Sequence, residues 1–183
     1  MIHFTSDTHY GHKNIIKFCD RPFDSIEHME RAFITRWNLH VKPGDTVYHL
    51  GDFVFGGRKD LARIVNQLNG TIRLIRGNHD KVLKSLEAQK HFEWIKDYHE
   101  LRGPDKVKIV LSHYAFEVWN KSHHGSWHLH GHSHGTLGFK DIKRLDVGVD
   151  SNTFCPVSMD EVAEIMKKRG YDAPDNHGKR SSR

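Results

Sequence analysis

Residues 46–80 open on Thr46-Val47-Tyr48-His49-Leu50-Gly51-Asp52 and close on Thr71-Ile72-Arg73-Leu74-Ile75-Arg76-Gly77-Asn78-His79-Asp80. Each end is a short run rich in β-branched and aromatic residues, the composition of a strand. Each run stops in a glycine followed by a carboxylate or amide. Between them Leu61, Ile64, Val65 and Leu68 recur at helical spacing, predicting a helix over 59–68 that Asn69-Gly70 closes. Strand, helix, strand is a βαβ rhythm. Working outward, Ile2–Ser6 reads as a strand, Ile26, Met29, Phe33 and Trp37 predict an amphipathic helix from Ser25 to about Leu39, and Pro43-Gly44-Asp45 is a turn. Towards the C-terminus Val107–Ser112, Trp127–His130 and Leu145–Val149 read as strands. Ser158-Met159-Asp160-Glu161 fits a capping box opening a helix that ends near Gly170. Strands in both halves with helices outside predict a layered α/β sandwich.

The chain has 183 residues, enough for one domain, read as 1–170 with a basic tail at 171–183. Cys19 and Cys155 lie far apart without zinc-finger spacing, which excludes a disulfide scaffold and a structural zinc finger. No apolar run approaches a membrane span, and the first residues lack the basic and apolar regions of a signal peptide. A reducing, cytoplasmic setting without an obligate protein partner is expected. The net charge of +5 is uneven. Residues 167–183 hold Lys167, Lys168, Arg169, Lys179, Arg180 and Arg183 against Asp172 and Asp175, so the remainder is nearly neutral. The 17 histidines stand out more than the charge does.

The polar residues with chemistry cluster behind the predicted strands: Asp7-Thr8-His9, Gly51-Asp52, Gly77-Asn78-His79-Asp80, His113 and Gly131-His132-Ser133-His134. Ligands of open α/β sheets gather beyond the carboxyl ends of strands. Carboxylate, amide oxygen and imidazole suit divalent Mn, Fe, Zn, Ni or Co, and the absence of thiolate disfavours a closed structural zinc site. Seven candidate ligands exceed one metal's needs and match two metals sharing a carboxylate, the usual clamp for phosphoryl displacement.

In this order the five blocks resemble the calcineurin-like metallophosphoesterase superfamily, whose signature runs D-x-H, G-D, G-N-H-[DE], H, G-H-x-H. The resemblance is closest to the small bacterial and phage-type members. It implies a four-layer αββα metallophosphatase sandwich with two central mixed sheets. It also implies that Asp7, His9 and His134 hold one divalent metal, Asn78, His113 and His132 hold a second, and Asp52 bridges them. His79 would sit over the phosphate to stabilise charge or protonate the leaving alkoxide, and Asp80 would pair with His79 and orient it. The activity implied is hydrolysis of a phosphate ester by in-line attack of a metal-bridging water or hydroxide. The second block, Gly51-Asp52-Phe53-Val54-Phe55-Gly56-Gly57, lacks the G-D-x-V-D-R-G of protein phosphatases and its phosphate-clamping arginine. That shifts the expectation towards phosphodiesters, with nucleotides or nucleic-acid ends as substrates. His12 and Arg58 are candidate substrate contacts. His49, His128, His130, Trp119 and Trp127 are expected to be scaffold, and Asp150 either closes a strand or meets the site from below. Three alternatives stay open: a general phosphomonoesterase, a noncatalytic histidine-rich metal-binding protein, and a nucleic-acid-binding module that uses the basic tail.

Overall fold

The computed structural model describes residues 1–138 and 141–170; the basic tail read at 171–183 lies outside them. The order is β1 (Ile2–Thr5), α1 (Lys13–Phe18), α2 (Ile26–His40), β2 (Thr46–His49), α3 (Arg58–Val65), β3 (Thr71–Ile75), α4 (Leu86–Gln89), β4 (Trp94–Lys96) and β5 (Tyr98–Arg102), then β6 (Lys108–Ser112), β7 (Trp127–His130), β8 (Arg144–Asp146), β9 (Val157–Ser158) and α5 (Met159–Lys167). The fold is α/β with two mixed sheets. One has the order β4-β3-β2-β1-β9, the other β5-β6-β7-β8. In the first sheet β1 to β4 are parallel and β9 runs antiparallel to β1. In the second, β6, β7 and β8 are parallel and β5 is antiparallel.

Side-chain alternation along the strands builds separate cores. Val47, Ile72 and Leu74 point into a cluster with Met29, Phe33 and Trp37 of α2 and Leu61 and Ile64 of α3. Phe4 and Tyr48 point the other way, to Ile109 and Leu111 of β6, Leu129 of β7 and Val162 and Met166 of α5. The sheets therefore share one apolar layer. The far side of β6 carries a smaller cluster in which Val110 meets Trp119 and Ile142, with Phe116 against it. Largely buried strands rich in aliphatic and aromatic residues stand out, which is why β1, β2, β3, β6 and β7 were visible in the sequence. α5 begins with the expected capping box: Ser158 Oγ accepts from Glu161 N at 3.2 Å while Ser158 N donates to Glu161 Oε2 at 2.7 Å. The strand expected at Leu145–Val149 is shorter. Asp146 turns back to accept from Gly148 N at 2.8 Å, and Val149 opens a 3₁₀ turn. No helix among the described residues is long and apolar enough to cross a membrane.

Candidate metal centre

Parallel pairing puts the carboxyl ends of β1, β2 and β3 on one edge, and those of β6 and β7 on one edge of the second sheet. The two edges are laced together. Ser6 bridges Gly148, Asp7 N donates to Gly51 O at 3.0 Å, Gly131 N donates to His113 O at 3.0 Å, and His113 Nδ1 stands 2.7 Å from Leu50 O. Gly51, at φ +100°, lies where the loops after β2, β3 and β6 meet. A Cβ there would stand 2.6 Å from His113 Nδ1 and 2.7 Å from Gly77 N.

This lacing brings all seven expected ligands together. Donor atoms of Asp7, His9 and His134 lie within 4.8 Å of one another, as do those of Asp52, His113 and His132. Asp52 stands between the groups, its Oδ2 3.5 Å from both His9 Nε2 and His113 Nε2. Asn78 Oδ1 is 3.0 Å from His113 Nε2. Asp7, His9, Asp52 and His113 are buried, whereas Asn78 and His132 are exposed, so the centre opens on their side.

Two observations test whether these donors fit a metal. Asp7, His9, Asp52, His132 and His134 all have φ between +46° and +66°. Such left-handed backbone costs a non-glycine residue about 1–3 kcal/mol and gathers at ligand clamps. His9 is buried, and among the described residues neither of its ring nitrogens has a hydrogen-bond partner. A buried imidazole without partners carries a desolvation cost that a cation would offset. The donors fit a pair of divalent ions.

The electrostatics agree with that fit. Burial pushes Asp7 up to about 8; the His134 charge opposes this and Asp52 adds to it. Burial, with the charges of His134 and Arg21, pulls His9 down to about 2. Burial also pulls His134 down, but its contacts with Asp150 and Cys19 and the charge of Asp7 outweigh this and raise it to about 10. Asp7 and His134 thus each hold a proton more tightly than usual, where a cation would bind.

The ring of His79 is 5.3 Å from that of His9, and its backbone N–H donates to Asp52 Oδ1 at 2.8 Å. Asp80 corrects its expected role. Its carboxylate accepts from the N–H groups of Asp52, Phe53 and Gly77 at 2.8–2.9 Å, in place of the expected bond to the His79 ring. It braces the loop after β2 against the loop after β3. Burial nevertheless raises it to about 6, against the pull of those N–H groups.

Sequence reasoning missed Arg21. Its buried guanidinium grips Asp150 twice at 2.7 Å and donates to the carbonyls of Asp7 at 2.7 Å and Thr8 at 3.2 Å. Asp150 Oδ2 then stands 2.7 Å from His134 Nδ1. The second reading of Asp150, contact with the site, is the one observed. Cys19 joins this edge, its sulfur within 4.8 Å of donor atoms of His134 and Asp150. His12 lies beside the centre, its ring 5.5 Å from His9 and 6.2 Å from His79. Arg58 instead stands exposed at the start of α3, where its charge acts on Glu87. His49, His128 and His130 are buried scaffold: His49 Nε2 is 3.1 Å from Thr8 Oγ1, His128 Nε2 accepts from Phe116 N, and His130 Nδ1 meets Gly131 O. Trp119 and Trp127 pack in the cores.

No family model matches the chain. It is 33% identical over 175 residues, covering 91% of this chain and 92% of the relative, to a protein of Methanocaldococcus jannaschii described as the uncharacterized protein MJ1445. The chain belongs to the family of MJ1445. A second relative, the Gene 66 protein of Mycobacterium phage L5, is 26% identical over 194 residues, 89% of this chain and 92% of that protein. Among solved structures, the protein of unknown function AQ665 from Aquifex aeolicus matches with a TM-score of 0.73 and 29% identity over 90% of this chain and 98% of its own.

Proposed function

We propose that this protein is a dinuclear metal-dependent phosphoesterase of the calcineurin-like type, acting on phosphodiesters. The observation that carries the reading is the convergence of Asp7, His9 and His134 with Asp52, His113, His132 and Asn78 around one central carboxylate. The four-layer αββα arrangement belongs to the same reading, supported by the apolar layer the two sheets share and by α2 and α3 outside the first.

A pair of divalent cations, when bound, acidifies a water and neutralises phosphate oxygens. The chain does the rest. Asp52 is oriented by the backbone N–H of His79, so the residue that divides the two groups is fixed by the one that faces substrate. His79, half-buried beside His9, holds a proton at its ring for the leaving alkoxide. Asp80 keeps both loops in register through three backbone N–H groups. Asn78 and His132 leave the mouth open, room for a phosphate carrying two substituents.

Hydrolysis of bis-p-nitrophenyl phosphate with added Mn²⁺, Co²⁺, Ni²⁺ or Zn²⁺ tests the proposal, alongside elemental analysis after dialysis. Turnover with two metals per chain, lost in Asp52→Ala together with the metal, is the expected result. Folded, metal-loaded protein without turnover, or many more than two metals per chain, would overturn it.

A further inference from the structure

Beside His79 the surface carries aromatic area that neither fold nor metal site accounts for. The ring of Phe55 stacks on that of His12 at 4.2 Å and 21°, and stands 5.8 Å from His79. Phe18 meets His12 edge-on at 6.2 Å. Phe18 is 72% exposed and Phe55 46%. Large apolar side chains grouped at the mouth of a polar site mark a binding surface. The platform is fixed in place: Phe55 N donates to Tyr10 O at 2.7 Å, Tyr10 pairs with Val54, and Gly11, at φ +82°, would bring a Cβ 2.8 Å from Phe55 O. Beside His132 and Asn78, Tyr114 lies 4.7 Å from the His132 ring, and its hydroxyl is 3.5 Å from Asn78 Oδ1, so a polar group is presented there.

We infer that Phe55, backed by His12 and flanked by Phe18, is a stacking subsite for a planar base, which makes the substrate a nucleoside phosphate ester. The inference rests on the phosphoesterase reading, because it sets the phosphate at the metal centre and the leaving oxygen at His79. The sugar of a nucleoside spans the step from His79 to Phe55 and lays the base over the exposed ring. Stacking of bases on aromatic side chains is sequence-tolerant, since every base has a π-face. The near-neutral charge of the chain outside residues 167–183 suits a mononucleotide or a strand end better than a long polyanion.

Calorimetric titration of the manganese-loaded protein with inorganic phosphate, ribose 5-phosphate and AMP tests this. Wild type is expected to bind AMP about tenfold more tightly than ribose 5-phosphate. Phe55→Ala should erase that preference while leaving the ribose 5-phosphate affinity unchanged, and Phe55→Trp should keep it. Equal affinity for the two esters in wild type, or a preference that survives Phe55→Ala, would overturn the stacking subsite while phosphate binding still stands. Failure of all three to bind would overturn the phosphoesterase reading and the inference with it.

Discussion

His134 owes its position to residues outside the expected ligand set. Its Nδ1 faces Asp150, and Asp150 is clasped by Arg21, which also holds the carbonyls of Asp7 and Thr8. Burial alone would raise Asp150, but His134 and Arg21 hold it below its ordinary value. One guanidinium thereby fixes the backbone of one expected ligand and, through a carboxylate, the ring of another. Partners of this kind tune metal affinity by about 10- to 100-fold. Asp150→Ala should weaken manganese binding by that factor, while Asp150→Asn, whose amide oxygen still accepts from Nδ1–H, should lose less. His79→Ala should leave metal affinity intact and slow hydrolysis by about 10²–10⁴-fold. Metal titration beside rate measurements separates the two effects, and an Asp150→Ala protein with wild-type affinity would remove Arg21 and Asp150 from this role.

The elements that carry the centre were readable where burial shaped the sequence. β1, β2, β3, β6 and β7 are largely buried and rich in aliphatic and aromatic residues, and each is followed by its polar block. β4 and β5 escaped because Trp94-Ile95-Lys96 and Tyr98–Arg102 are only partly covered, so polar residues interrupt any pattern. α1 escaped because it has six residues and no side-chain cap. The Arg21–Asp150 pair was invisible because its members stand 129 positions apart. The blocks of the candidate site were legible partly through their glycines, and packing shows why. Gly51→Ala would place a methyl group against His113 and Gly77 at a φ that L-residues avoid. Chemical denaturation should show a loss of about 2 kcal/mol or more, with weakened metal binding. Gly44→Ala, where a Cβ meets nothing within 4 Å, should change stability by less than about 0.5 kcal/mol. Equal effects at the two positions would mean that the loops do not depend on this close approach.

Across the whole molecule, burying so many histidines around a charged centre ties stability to pH. Burial lowers His9 to about 2 and His49 and His128 to about 3, and it also lowers His113 and His130. A histidine whose folded pKa is depressed binds fewer protons folded than unfolded, so stability rises with pH up to its ordinary value of about 6.5. Asp7 and His134 act in the opposite sense. Their folded values, about 8 and about 10, are raised, so the stability they contribute below their unfolded values is lost as pH climbs through the folded ones. Asp80, raised to about 6, and Asp7 both oppose the histidines at acid pH, but the five lowered imidazoles outnumber them. Metal-free protein should therefore be most stable near pH 6–7, falling on the acid side through the scaffold histidines and on the alkaline side through Asp7 and His134. On the proposed reading a metal would need Asp7 ionised and His134 neutral, so its binding would release the protons these two groups hold. Urea midpoints measured with a chelator should trace a dome from pH 4 to 10, and added Mn²⁺ should raise its alkaline limb while changing its acid limb far less. An alkaline limb that manganese leaves untouched would mean that Asp7 and His134 do not hold the ion, whatever else in the molecule binds it.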